Sequence, residues 1–296
     1  MAELTSPLAP ALGLLLLLGA GCSTEAAADT DTIRFSAIPD QNSTELEEKF
    51  DRVAAHLTAE LGVNFEYVPS IDYGASVEAF KNGDVHLAWF GGLSGVRART
   101  AVPGAVAIAQ GRIDPEFKSY FVAHQSLGLA FSEAFPKEIE GKSFTFGSRG
   151  STSGRLMPEH FLRQETGKGP AEFFGREPNY SGAHDKTAEL VASGAYQVGA
   201  LSYTTYDKLV ADGRIDPAVC VKIWETPSYP DYNWTAHPEL TELHGKDFID
   251  RLQATLVGIQ DAALLEAAQR PDGFIEASNA DFAPLETLAR ELDLLR

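Results

Sequence analysis

From Ile33 onward, short apolar runs alternate with longer segments whose apolar positions recur every three to four residues, the signature of strands interleaved with amphipathic helices. The first run predicts a strand over residues 33–38 that stops at Pro39. Asn42, with Glu45 three positions on, reads as a capping box. Leu46, Phe50, Val53, Ala54 and Leu57 then line one face of a helix that ends near Gly62. A strand over 64–68, a helix over 73–82 and a strand over 85–90 follow, and Gly91-Gly92 opens another helix. Strand-like runs at 105–109 and 119–123 lead out of this first βαβ lobe. A second lobe repeats the rhythm, with strands over 143–146 and 197–201 and helices over 155–164, 184–192 and 203–211. The run 219–224 is expected to return to the first lobe, and helices over 248–259, 262–268 and 284–294 to pack back on it. The pattern defines an α/β protein of two lobes: 33–123 as the first part of lobe 1, 124–222 as lobe 2, and 223–296 as the return. Two such lobes joined by two crossings enclose a cleft at the carboxyl ends of their strands, where ligands bind in folds of this type.

Ahead of the lobes, residues 12–18 are apolar except for Gly13 and run into Gly19-Ala20-Gly21-Cys22-Ser23. The run is too short to span a bilayer and suits a signal peptide over 1–21. Cys22 after small residues resembles a bacterial lipobox, which would make it an acylated first residue on a flexible tether over 22–32. An ordinary cleaved leader with Cys22 incidental is the alternative, and both readings export the chain.

Charge narrows the partners. The 296 residues hold 24 Lys+Arg against 42 Asp+Glu, a net charge of −18. That balance argues against nucleic acid, which needs a basic face, and against docking on anionic lipid by charge alone. The two cysteines, Cys22 and Cys220, make no disulfide framework, and Cys220 reads as a buried strand thiol. Gly141-Lys142-Ser143 precedes a strand and lacks the earlier glycine of a phosphate-binding loop. Gly150-Ser151-Thr152-Ser153-Gly154 has Thr where a hydrolase nucleophile would stand, and no His or Cys spacing suits a metal. No cofactor is called for.

The positive signal lies at helix starts. Phe146 to Gly154 carries a strand end into a helix through glycines and three consecutive hydroxyls, Ser151, Thr152 and Ser153. Free backbone N–H groups and the dipole at such a start attract an anion, and one capping hydroxyl alone would have sufficed for the helix. His184 opens a second helix after Tyr180-Ser181-Gly182, where the dipole favours its neutral form. Asp72-Tyr73 and Trp89-Phe90-Gly91-Gly92 occupy corresponding turns of the first lobe.

These segments, together with Asp84 to Gly91, Pro158 and Ser181 to Asp185, resemble the phosphate/phosphite/phosphonate-binding proteins of ABC importers. Ile38-Pro39-Asp40 and Asp231-Tyr232-Asn233-Trp234-Thr235 are most similar to a subgroup described as selenate-binding. The resemblance covers nearly all of the chain after the leader. It implies a type II periplasmic binding protein fold, a hinge, and delivery of a small oxyanion to a membrane permease and ATPase. It also implies an exported, lipid-anchored monomer. Carried over by motif, Tyr73, Ser151, Thr152, Ser153 and His184 contact the anion, with Gly91 and Gly92 at the facing helix start. Where the family tends to carry a carboxylate after Gly199-Ala200-Leu201, this chain has Ser202, which tilts the expected ligand toward a deprotonated tetrahedral dianion or a simple phosphite and away from aminophosphonates, unless Asp185, Asp72 or Asp40 restores an acceptor. The alternatives are a sensory binding module and a phosphoester hydrolase using Ser151 or Ser153.

Overall fold

The computed structural model describes residues 32–295. The leader over 1–21, Cys22 and the tether through residue 31 lie outside the described residues; Thr32 already belongs to the first strand.

Eleven strands form two sheets. The first contains β1 (Thr32–Ala37), β2 (Asn64–Tyr67), β3 (Leu87–Phe90), β4 (Val106–Gly111), β10 (Asn233–Ala236) and β11 (Phe274–Glu276), in the order β11-β4-β10-β3-β1-β2. The second contains β5 (Ser119–His124), β6 (Phe144–Phe146), β7 (Asn179–Tyr180), β8 (Val198–Ser202) and β9 (Cys220–Glu225), in the order β7-β6-β8-β5-β9. Within each sheet the βαβ strands run parallel, and one strand is inserted antiparallel: β10 between β3 and β4, β5 between β8 and β9.

That insertion moves both lobe boundaries. β5, expected to close the first part of lobe 1, pairs with β8 and β9 in the second sheet, and β9 stays there rather than returning. The chain crosses after Gly111 and again after Glu225. The physical reason is that each crossing delivers its first strand into the middle of the receiving sheet, a long-range pairing that local periodicity does not encode. Phe117 and Tyr229 bond to each other through both backbone N–H groups, at 2.9 and 3.0 Å, so the two crossings form a single hydrogen-bonded hinge.

Local chemistry sets the helices as expected. Asn42 caps Ser43–Leu61 by accepting from Thr44 and Glu45 N–H, and the helix ends at Gly62 with φ 71°, where a side chain would be strained. Its face of Leu46, Phe50, Val53 and Leu57 packs on the first sheet, where Phe50 meets Phe35, Tyr67 and Trp234. Each such fully buried side chain contributes about 1.5–3 kcal/mol of transfer free energy. The last helices return to this lobe: Phe248–Val257 packs on β4 and β11, and Ala283–Glu291 packs on helix Gly92–Ala101. Cys220 is fully buried in β9, and desolvation pushes its thiol up to about 12, which makes it unreactive. Among the described residues no helix is long and apolar enough to cross a membrane.

Candidate functional site

The carboxyl ends of β1, β3, β6 and β8 point toward one another across the interlobe cleft, and each feeds a turn or helix start. From lobe 1, β3 ends at Gly91, and helix Gly92–Ala101 begins with no side-chain cap. Its free N–H groups are used otherwise. Gly92 N–H donates to Asp231 Oδ1 at 2.8 Å, and Leu93 N–H donates across the cleft to Thr152 Oγ1 at 2.9 Å. A Cβ on Gly92 would lie 2.4 Å from Leu285, so glycine is required for the close approach of the last helix.

From lobe 2, residues Thr152–Leu156 form a wide π-type turn before helix Met157–Thr166, with Leu156 N–H bonded to Ser151 C=O at 3.0 Å. The sequence places a plain helix start near Arg155; the structure starts it three residues earlier with the wide turn, and Ser151 Oγ caps it by accepting from Gly154 N–H. Ser151, Thr152 and Ser153 are all buried. Arg155, an unfavourable charge for a first turn, is compensated by Glu159 at 3.1 Å.

His184 begins helix His184–Ala192 and is completely buried; desolvation pushes it down to about 3, so it is neutral. Ser202 N–H donates to its Nδ1 at 3.2 Å, which assigns the ring proton to Nε2, and that nitrogen faces Ser153 Oγ at 3.5 Å. His184 N–H also donates across the cleft to Asp40 C=O at 3.0 Å. The wiring is the reverse of a hydrolase triad. Nε2 carries a proton and cannot take one from Ser153, and Nδ1 faces a donor where a triad has a carboxylate. Ser202 therefore positions His184. Its own hydroxyl caps helix Tyr203–Ala211 and bonds Thr204 Oγ1, so it presents no free group to a ligand.

Tyr73 starts helix Tyr73–Lys81, capped by Asp72, and its buried hydroxyl lies beside Ser151 without completing a hydrogen bond of full geometry. Two further groups complete the arrangement: Asp231, to which motif reasoning assigned no role, and Asp40, one of three acidic residues it offered as a replacement acceptor. Asp231 lies at the end of the second crossing, 1% exposed. Burial pushes its carboxyl up to about 7, against the pull of Gly92 N–H and the nearby Thr152 hydroxyl, and its Oδ2 is unpartnered. Asp40, at the end of β1, accepts from Tyr232 Oη at 2.8 Å. Burial pushes it up to about 6, and its Oδ1 is unpartnered too. Both residues sit in the sequence segments quoted for the resemblance, and that was the available signal. With Asp231 and Asp40 at the cleft, the ground for a tilt toward a fully ionised dianion disappears.

Behind the cage, Arg270 forms a bidentate ion pair with Asp114 at 2.7 Å in both bonds, and its guanidinium stacks over Tyr232 and Trp89. Asp114 C=O in turn holds Asp231 N–H at 3.0 Å. Among the described residues no group of three acidic, His or Cys side chains could hold a metal ion.

A Cβ on Gly154 would fall 2.9 Å from Ser151 Oγ and 3.1 Å from His184 Cε1. Gly154→Ala is expected to cost about 1–3 kcal/mol by overpacking and to weaken ligand binding by displacing His184. Parallel thermal melts and titrations check this, and an alanine variant that binds as the parent does would refute it.

Two lobes that meet over neutral donors and buried carboxyls of raised pKa make the architecture of a type II periplasmic binding protein. The family model for the phosphonate ABC transporter periplasmic substrate-binding protein matches residues 35–282. The chain is 36% identical over 281 residues, 93% of its own length and 94% of the other, to the "Probable ABC transporter phosphite binding protein PhnD1" of Prochlorococcus marinus. It is 29% identical to the phosphate-import protein PhnD of Mycolicibacterium smegmatis, over 91% of this chain and 85% of that one. The solved structure of the Prochlorococcus marinus PhnD1 in complex with methylphosphonate matches with a TM-score of 0.84, over 90% of this chain and all of the other. The chain belongs to the family of phosphonate ABC transporter periplasmic substrate-binding proteins.

Proposed function

We propose that the ligand is a small phosphorus oxyanion carrying one titratable proton, a phosphite or a short phosphonate, held by Tyr73, Ser151 to Ser153, His184 and Asp231. The observation that carries this is the clustering of unpartnered buried polar atoms, Tyr73 Oη, Asp231 Oδ2 and Asp40 Oδ1, on residues within electrostatic reach of one another where the lobes meet. Orphaned buried groups cost about 1–3 kcal/mol each, so their clustering points to a ligand that satisfies them. Neutral donors, Tyr73 Oη–H and His184 Nε2–H, suit the charged oxygens. The carboxylate of Asp231 suits the protonated one, and it disfavours an anion with no proton to give. The relatives' names, which speak of phosphite, phosphate and methylphosphonate, agree with this class. Delivery to a permease and ATPase, anchoring through an acylated Cys22 and action as a monomeric non-enzyme complete the proposal.

Titration of the exported domain with phosphite, methylphosphonate, phosphate, sulfate and selenate tests it, with the phosphorus acids expected to bind best. His184→Ala is expected to weaken their binding by about 10–100-fold, the worth of one hydrogen bond to a charged group. Parent-like affinity in that variant would remove His184 from the site.

A further inference from the structure

Beside the cage lies a second interlobe cleft of about 370 Å³, lined by Asp72 to Gly74 and Arg97 from lobe 1 and by Ser148 to Gly150, Tyr180 and Gly182 from lobe 2, so that two guanidiniums face one carboxylate. Tyr73 belongs to both spaces: its ring lines the cleft and its hydroxyl lies buried with the cage carboxylates. In a chain of net charge −18, this cleft is basic. Arg97 uses its Nε on Leu294 C=O at 2.6 Å, and Arg149 lies over the Tyr180 ring at 3.8 Å. Neither guanidinium meets a carboxylate in an ion pair among the described residues. Arg155 stands nearby, 5.8 Å from the Tyr180 ring centre, with its Nε buried and unpartnered. The lining carboxylate, Asp72, has its Oδ1 occupied by Ala75 N–H and makes no ion pair with Arg97 or Arg149 among the described residues, and Glu159 neutralises Arg155 while also pairing with Arg163.

Arg97 of one lobe and Arg149 of the other thus line the same cleft, neither in an ion pair with a carboxylate among the described residues. Burial first, and the charge of Arg155 second, push the Arg97 guanidinium below its ordinary value. Like charges driven together across a hinge oppose closure unless an anion sits between them. We infer that this cleft is a second anion subsite, which takes the negatively charged end of an organic substituent on the bound oxyanion. The ligand class is phosphonates carrying a carboxylate on a short alkyl chain. The inference rests on the reading of the cage as a phosphorus oxyanion site and extends it to the substituent.

The test compares methylphosphonate with carboxyalkylphosphonates of one, two and three methylenes, and with uncharged alkylphosphonates of equal length, by calorimetric titration. The parent is expected to prefer at least one carboxylated ligand over its uncharged counterpart. Arg97→Gln and, separately, the exposed Arg149→Gln are expected to cut that preference about tenfold, one charge-assisted hydrogen bond, and to leave methylphosphonate within twofold. Arg149→Gln keeps the test decisive if Arg97→Gln fails to fold. Equal losses for both ligand types, or no binding of carboxylated ligands by a parent that binds methylphosphonate, would overturn the subsite and spare the cage. An arginine-dependent response to a carboxylated ligand alone would support the subsite and refute the simple-ligand reading. Silence from every phosphonate would overturn both.

Discussion

Replacing Arg270 by methionine is expected to lower the unfolding free energy by about 3–5 kcal/mol, because it leaves the fully buried Asp114 carboxylate without its partner. For a chain of this size that corresponds to a fall in melting temperature of roughly 6–15 °C. The carboxylate would keep only Gly111 N–H at 2.7 Å, and Trp89 and Tyr232 would lose the cation between them. The double variant Asp114→Leu, Arg270→Met is expected to regain part of the loss, since it removes the stranded charge along with its partner. Denaturant unfolding of the parent, both single variants and the double variant closes the cycle. A single-variant loss below about 1 kcal/mol would mean that water reaches Asp114 and screens the stranded charge.

The second large effect concerns Asp231 and pH. A fully ionised dianion such as selenate needs Asp231 protonated. Since the carboxyl sits at about 7, selenate affinity is expected to be flat up to neutrality and to fall about tenfold for each pH unit beyond it. A phosphonate brings a proton whose ionisation lies near neutrality, so the pair needs only one proton between them, supplied by either. Asp231→Asn retains an oxygen for Gly92 N–H and turns the unpartnered oxygen into a donor. In that variant selenate binding is expected to lose its pH dependence. At pH 6 the phosphonate monoanion, deprived of its acceptor, is expected to bind about 10–100-fold more weakly. Titrations from pH 6 to 9 decide the point, and a surviving selenate slope in the asparagine variant would assign the proton to another group. The same raised carboxyls act on stability without ligand. Folded Asp231 and Asp40 hold protons that the unfolded chain releases near pH 4, so their contribution to stability falls as pH climbs through about 6 and 7.

The architecture was largely readable from periodicity, because helix Ser43–Leu61, helix His184–Ala192 and the parallel strands each show their pattern locally. The strand assignments at β5 and β9 were not, since a strand placed mid-sheet by a crossing is chosen by partners more than 70 residues away, as Phe121 is by Ala200. The site divides along the same line. Ser151 to Ser153 and His184 announce themselves as polar groups at helix starts. Asp231 and Asp40 look like ordinary acidic residues until folding buries them and leaves one oxygen of each unpaired. Ser202 misled for a related reason: its position matched, but its hydroxyl is taken by the next helix start.

The two hydrogen bonds that cross between the lobes, Leu93 N–H to Thr152 Oγ1 and His184 N–H to Asp40 C=O, also set a clock. Tyr73, Ser153 and His184 are all buried, so an occupant held between them leaves as the lobes part. The residence time of any anion then has a floor fixed by that opening rate, and weak occupants near it leave in nearly equal times despite unequal affinities. A partner that pries the lobes apart would discharge all of them at one speed, so discrimination must be finished before the cage shuts.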